Sequence, residues 1–349
     1  MTNVFKRKEE GIWEPGKPIV AITIGDPAGI GPEIVVKSLF NPKVYAVCRP
    51  LIIGDKNVVE QALTLCQKQA TINVIQKPWQ GTYQQGFIDL IDMQNVDMSK
   101  LKKGTVQAMC GRASIDYINK AIELANPKQV DAIATAPINT ESIKAAEIDC
   151  NCHTEMFGVL TQTKEPLIMF EVRGLRIFFL SQLISLRQAC DLVTQERVFD
   201  YIIRCTKALE SLGVTQGTLA VASLNPRNCE KNASLGDEEI KYIEPAVLEA
   251  QARGYHVVGP ISVDFVFHKA LQGHYHAVLS LHHAQGHVAA KTLDFERTIS
   301  VTTGLPFLRS SVEHGTAFDI AGQGIASEVG MTEAILAATK YAPYFKAQS

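Results

Sequence analysis

The sequence predicts an α/β protein of two domains. Three observations predict it: a length of 349 residues, apolar runs of strand length alternating with stretches of helix length, and glycine-rich turns joining the two. Chains of this length usually divide into domains of about 100–200 residues, each able to build its own core.

The elements follow in order. Residues 1–17 read as a loose polar extension. Residues 19–24 are an apolar strand, and Gly25-Asp26-Pro27-Ala28-Gly29-Ile30-Gly31 is the turn after it. Pro32 suits the first position of a helix and Glu33 meets its dipole, so a helix runs to Leu39. Residues 51–55 are a second strand and turn. Residues 112–125 form an amphipathic helix with Ile115, Ile118, Ala121 and Ile122 on its apolar face. Residues 130–135 are a strand ending in Ala136-Pro137-Ile138-Asn139. The alternation continues with strands at 176–180, 218–223 and 277–281 and helices at 198–212 and 237–253. Such alternation means parallel βαβ units, with a domain boundary near residue 148 and no internal repeat.

Bulk properties exclude several function classes. Hydrophobic residues make up 46% and charged residues 20%, an ordinary globular balance. The formal net charge of -2 argues against a nucleic-acid surface. No run of about 18 apolar residues suggests a membrane span. The polar N-terminus lacks the apolar stretch of a signal peptide, so a cytoplasmic location is expected. Eight cysteines (Cys48, Cys66, Cys110, Cys150, Cys152, Cys190, Cys205 and Cys229) are then expected as free thiols. Cys150-Asn151-Cys152 is a weak metal or redox signal, because structural zinc sites usually show two paired knuckles.

Several strings carry candidate chemistry, each with a plain alternative. The Gly25–Gly31 turn is not a dinucleotide fingerprint; it is either a bare turn or a helix N-terminus whose N–H groups attract an anion. His153-Thr154 pairs an imidazole with a neutral donor, as an anion pocket does, though a lone histidine is also a common structural residue. Leu281-His282-His283-Ala284-Gln285-Gly286-His287 puts three histidines at a strand end, where ligands bind in α/β folds. One strand end cannot supply three metal ligands in good geometry, so these also read as satisfied histidines. Lys291 and Arg309 fit either solvated charges or, with His153, an anion pocket. His314-Gly315-Thr316-Ala317-Phe318-Asp319-Ile320-Ala321-Gly322 reads as a surface loop or as small residues admitting a flat ligand.

Taken in order, these strings resemble the 4-hydroxythreonine-4-phosphate dehydrogenase family over nearly the whole chain. The carriers are Gly25-Asp26-Pro27-Ala28-Gly29-Ile30-Gly31-Pro32, Thr135-Ala136-Pro137-Ile138-Asn139, His153-Thr154-Glu155, Asn225-Pro226, His283 with Gln285-Gly286, Gly304-Leu305-Pro306-Phe307 and His314-Gly315-Thr316-Ala317. Ser185-Leu186-Arg187 and residues 318–322 resemble the branch acting on four-carbon acid-sugar phosphates. The resemblance implies two three-layer α/β/α domains like those of isocitrate and isopropylmalate dehydrogenases, with a cleft between them. The first would span 18–148 plus 322–349. The second, 149–321, would carry dimerisation and the cofactor-proximal loops. It also implies a homodimer, NAD-dependent oxidation of a small phosphorylated hydroxy acid with decarboxylation, and a divalent metal (zinc, magnesium or manganese) that stabilises alkoxide and enolate.

Carried over residue by residue, the resemblance assigns His153, Thr154, Lys291, Ser300 and Arg309 to the substrate, with Ser300 standing where the family has Asn. Asp264 and Lys291 become the candidate catalytic residues, and Gly304, His314, Gly315 and Asp319 the cofactor residues. The three metal histidines do not carry over. Leu183 stands at the first, Arg227 at the second, and only His283 remains, followed by Ala284 in place of an acid. Thr140 stands where a Lys is expected. A guanidinium has no acceptor atom and would repel a cation, so Arg227 is expected to serve the substrate as a fixed positive charge. This leaves two further readings: a metal-free enzyme of altered chemistry, and a non-catalytic ligand-binding protein.

Overall fold

The computed structural model describes residues 16–149, 153–226 and 236–345. Arg227, Asn151, Cys150, Cys152 and Cys229 lie outside the described residues. The chain forms two compact units, Met1–Pro166 with Leu305–Ser349, and Leu167–Gly304. The limits differ from 148 and 321. The structural reason is pairing: the strand carrying Arg309 runs parallel beside the 132–135 strand and so belongs to the first unit.

In chain order the first unit begins with β1 (Ile19–Thr23), α1 (Gly31–Leu39), α2 (Pro42–Val47), β2 (Arg49–Gly54) and α3 (Lys56–Leu65). It continues with β3 (Thr71–Val74), β4 (Phe87–Asp92), α4 (Ala108–Ala125), β5 (Ala132–Thr135), α5 (Thr140–Ala145) and α6 (His153–Thr161). The second unit holds β6 (Leu167–Val172), β7 (Leu175–Phe179), α7 (Leu186–Asp191), α8 (Gln195–Ser211) and β8 (Leu219–Ala222). A π-helical turn (Glu239–Ile243) leads into α9 (Glu244–Ala252), then β9 (Val257–Ile261), α10 (Val266–Leu271), β10 (Ala277–Ser280), α11 (His283–Leu293) and β11 (Ile299–Thr303). The chain returns to the first unit as β12 (Leu308–Val312) and α12 (Val329–Tyr341).

The first unit's strands lie in the order β3-β4-β2-β1-β5-β12, all parallel. β1, β5 and β12 are buried along their whole length, as a parallel sheet covered on both faces requires. α12 packs on β12, β5 and β1, and α4 on β1, β2 and β5. The second unit's strands run β11-β6-β7-β10-β8-β9. Here the parallel βαβ units expected from the sequence are joined by a hairpin: β6 is antiparallel to both β7 and β11. Arg173 and Gly174, both at positive φ, make the two-residue turn that lets the chain fold straight back. α10 and α11 cover a core of Phe170, Ile177, Phe179, Val266, Val278 and Ala290, while α8 and α9 touch β8 and β9.

The expected helix at 237–253 is interrupted. Buried Glu239 accepts from Leu224 N at 2.8 Å and Asn225 N at 2.7 Å. That pull on the loop after β8 coincides with the widened turn, a common device beside functional sites. Cys48, Cys66, Cys110, Cys190 and Cys205 are free thiols. No helix among the described residues is long and apolar enough to cross a membrane.

Parallel pairing has a consequence for chemistry. It brings the carboxyl ends of β1, β5 and β12 to one edge of the first unit, and those of β7, β8, β9 and β10 to one edge of the second. Ligands of α/β folds bind at such edges.

Candidate active site

In the first unit β5, β12 and α6 assemble a cationic pocket. Arg309, 2% exposed, is the largest fully buried side chain among the described residues. Its guanidinium donates to Thr135 Oγ1 at 3.0 Å and to Thr154 Oγ1 at 3.5 Å. Its Cζ lies 4.9 Å from the centre of the Phe157 ring, and Phe157 in turn meets Phe307 edge-on. His153 stands at the start of α6 with Nε2 enclosed and without a hydrogen-bond partner among the described residues. Burial, and then the Arg309 charge, hold its pKa well below the usual imidazole range, so the ring is neutral at pH 7. A buried cation, two hydroxyls and an enclosed neutral imidazole form a donor set for an anion. The sequence picked out His153, Thr154 and Arg309. It assigned no site role to Thr135 or Phe157, although Thr135 opens one of the strings that carry the resemblance.

The Gly25–Gly31 turn packs behind this region. Gly25 has φ +70 and a Cβ there would strike the Pro137 carbonyl oxygen, so the turn requires glycine. Asp26 is fully buried, with Oδ1 accepting from Ala28 N at 2.8 Å and Oδ2 unpartnered among the described residues. Burial pushes its pKa up to about 6, opposed by the Ala28 hydrogen bond, the nearby Ser142 hydroxyl and the Lys103 charge. An acid whose folded pKa is raised binds more protons folded than unfolded between pH 3.8 and about 6, so this group's contribution to stability falls as pH rises through that window. Asp26→Asn is expected to gain about 2 kcal/mol over the parent on going from pH 4 to pH 7.5. Urea unfolding at the two pH values measures it, and an unchanged difference would refute the assignment.

The candidate cofactor residues divide between the units. Gly304, φ +85, follows β11 in the second. In the first, Nδ1 of half-buried His314 lies 3.0 Å from Gly315 O, and a Cβ at Gly315 would meet nothing within 4 Å. The backbone is therefore open to a flat ligand there. Thr316 O accepts from Ile30 N at 3.0 Å, and Glu33, buried in α1, accepts from Gly322 N at 2.7 Å and Gly324 N at 3.0 Å. Asp319 is exposed, and its carbonyl oxygen accepts from Gln323 Nε2 at 2.9 Å. Thr140 opens α5, which Asn139 caps through Ser142 N.

The second unit holds the remaining candidates. Asp264 is exposed just after β9 and accepts from Ser262 Oγ at 3.0 Å. Ser300 is buried in β11, in register with Phe170. His283, His287 and Lys291 fall at i, i+4 and i+8 of α11, one stripe of the helix. Lys291 Nζ sits 5.0 Å from the Phe295 ring centre. Its charge, secondary to burial, lowers the pKa of His283 and takes part in lowering that of His287 to about 4. His283 and His287 stack, with centroids 3.6 Å apart and planes 22° from parallel. The sequence did not anticipate this pairing, although the i, i+4 spacing shows it once a helix is assigned.

His283 also lines a cavity of about 660 Å³ together with Leu183, Ile184, Leu186 and Ala284. These residues do not fit a divalent ion. Leucine and alanine offer no donor, near-parallel stacked rings cannot aim two lone pairs at one point, and no group of three histidine, cysteine or carboxylate side chains among the described residues is placed to hold a metal.

Comparison with known proteins identifies the family. A Clostridium botulinum protein described as "Putative D-threonate 4-phosphate dehydrogenase" is 57% identical over 330 residues, covering 95% of this chain and 98% of that one. The crystal structure of 4-hydroxythreonine-4-phosphate dehydrogenase from Klebsiella pneumoniae superposes with a TM-score of 0.85 at 36% identity, covering 93% of this chain and 100% of that one. The one from Burkholderia phymatum gives 0.83 at 37% identity, covering 93% and 98%. The family described as "Pyridoxal phosphate biosynthetic protein PdxA" matches residues 46–338, and this chain belongs to it.

Proposed function

We propose that the protein is an NAD-dependent dehydrogenase that oxidises, and then decarboxylates, a small phosphorylated hydroxy acid of the four-carbon class. One observation carries the reading: Arg309 is buried against Thr135 and Thr154 beside the enclosed, neutral His153. A guanidinium beside two hydroxyls and an imidazole recognises an anion by charge-assisted hydrogen bonds, and a phosphate offers the acceptors this donor set suits. The relatives named for phosphorylated four-carbon substrates support the class. The reading includes self-association as a homodimer and a cytoplasmic setting.

NAD, when bound along the open backbone at Gly315, supplies the hydride acceptor. Arg309, Thr154 and His153 hold the phosphate and so fix the distance of the reacting carbon from it. Asp264, exposed and held by Ser262, takes the proton of the substrate hydroxyl as the C–H bond breaks. Lys291 holds the anionic oxygens. After the C–C bond to the carboxylate breaks and carbon dioxide leaves, it returns a proton to the carbon that keeps the electron pair. The donors beside His283 do not fit a divalent ion.

Absorbance at 340 nm with D-threonate 4-phosphate or 4-hydroxythreonine 4-phosphate and NAD tests the reading; no NADH with either, with or without zinc, magnesium or manganese, would overturn it. Leu183 and Ala284 beside His283 favour the metal-free form of the reaction. Zinc titration by calorimetry is then expected to show no site tighter than about 10 µM in the parent, and a gain of affinity in Leu183→His.

A further inference from the structure

Thr135 closes β5 and is fully buried, at the carboxyl edge where the anion pocket lies. It stands opposite Thr23 of β1 and Ser311 of β12, while Arg309 stands opposite Ile133. Side chains alternate along a strand, so Thr135 and Arg309 leave the same face of the sheet, two positions out of step. The long arginine side chain reaches forward across β5, and its Nη2 donates to Thr135 Oγ1 at 3.0 Å.

The two threonines that touch the guanidinium are not equivalent. Thr135 Oγ1 accepts from Arg309 and donates its own proton to the Ser310 carbonyl oxygen, 3.4 Å away. Ser310 is itself buried in β12, so that proton points into the sheet and not to a substrate. Thr154 is half-buried, lies at a longer 3.5 Å from Nη1, and follows His153 at the start of α6. A hydroxyl held so loosely by the arginine can turn its proton to an anion. The remaining wall is the ring of buried Phe157, 4.9 Å from Arg309 Cζ. A ring face attracts the cation but carries no directional acceptor, so it does not fix rotation of the guanidinium within its plane.

We infer that Thr135 is a positioning residue of the anion pocket: by accepting from Nη2 it fixes the in-plane direction of the Arg309 guanidinium and so turns Nη1 toward Thr154 and the anion, without touching the substrate itself. The inference deepens the phosphate reading and rests on it. A planar fork grips a phosphate through the directions of its N–H groups as well as by charge. A guanidinium left free to rotate has to be ordered by the ligand, which lowers affinity.

Thr135→Val keeps a branched strand residue and removes the acceptor, whereas Thr135→Ser keeps the hydroxyl. With D-threonate 4-phosphate and NAD, Thr135→Val is expected to raise KM about tenfold with kcat changed less than about twofold, and Thr135→Ser to stay within about threefold of the parent. KM for unphosphorylated D-threonate is expected to be the same in all three. In an Arg309→Met background Thr135→Val is expected to change KM less than about twofold, because a residue that acts only through Arg309 then has nothing to position. A residue that merely supports the strand would weaken both substrates, or would add its cost to that of Arg309→Met. Thermal melting accompanies each variant, and Thr135→Ala, which also removes the acceptor, makes the same test if the valine variant does not fold. A parent with equal KM for the two acids overturns the phosphate reading and this inference together. A parent that prefers the phosphorylated acid, with a preference that survives removal of the Thr135 hydroxyl, overturns this inference alone, as do additive effects of Thr135→Val and Arg309→Met.

Discussion

Replacing Arg309 with methionine is expected to raise KM for the phosphorylated substrate about 10²–10⁴-fold while changing kcat far less. Two charge-assisted hydrogen bonds to a phosphate contribute about 1.5–3 kcal/mol each, and each 1.4 kcal/mol is a factor of ten. No bond to the phosphate is made or broken in the reaction, so its grip is much the same in ground and transition states and its loss falls on KM. Arg309→Lys keeps the charge but cannot serve Thr135, Thr154 and an anion together through one planar fork; it is expected to fall between the parent and Arg309→Met. Steady-state kinetics with the phosphorylated acid and its unphosphorylated form checks the point. The arginine variants should bring the two substrates' KM values together. If the phosphorylated substrate keeps its advantage in Arg309→Met, the pocket is not the phosphate site. Thermal melting of each variant separates lost affinity from lost fold.

Replacing Glu33 with alanine is expected to cost about 2–4 kcal/mol of stability and to raise the KM for NAD with little change in the substrate's. The carboxylate lies inside α1 and accepts from Gly322 N and Gly324 N, and α1's Lys37 donates to the carbonyls of Gly324 and Ala326 at 2.7 and 2.6 Å. Together they pin the stretch after Asp319 to the first helix. Without the carboxylate two backbone donors lose a charged acceptor, at roughly 1–3 kcal/mol apiece, softened because both glycines are only half-buried and water can reach them. Glu33→Gln keeps one acceptor oxygen and is expected to recover part of the loss. Urea unfolding and NAD saturation curves measure the two effects. A stability loss with unchanged NAD affinity would mean that the 314–324 segment does not hold the cofactor.

Much of the fold was legible in the sequence because burial on both faces writes a parallel strand as an unbroken apolar run, and residues 19–24 and 130–135 are such runs. Pro32 and Glu33 likewise announced α1 through local chemistry alone. Elements whose stability comes from packing were not legible. The β6–β7 hairpin has no asparagine-glycine turn to mark it, and α11 begins in three histidines with no charged first turn. The π-helical turn at Glu239–Ile243 coincides with hydrogen bonds to residues some fifteen positions earlier, which no local pattern records.

The candidate site divides in the same way. Residue identity by itself singled out His153, Thr154 and Arg309 as a candidate anion-binding set, and determined that Leu183 and Ala284 cannot donate to a metal, because donor and acceptor capacity belongs to the side chain wherever it lies. Only the tertiary structure decided that Arg309 is buried on Thr135, that His153 is neutral, that Asp26 titrates near pH 6, and that His283 ends an aromatic stack beside an apolar cavity. Those properties depend on desolvation and on which groups meet across β5, β12 and α6, or across β7 and α11. Contacts between residues distant in sequence are set by packing, and packing is not written at any single position.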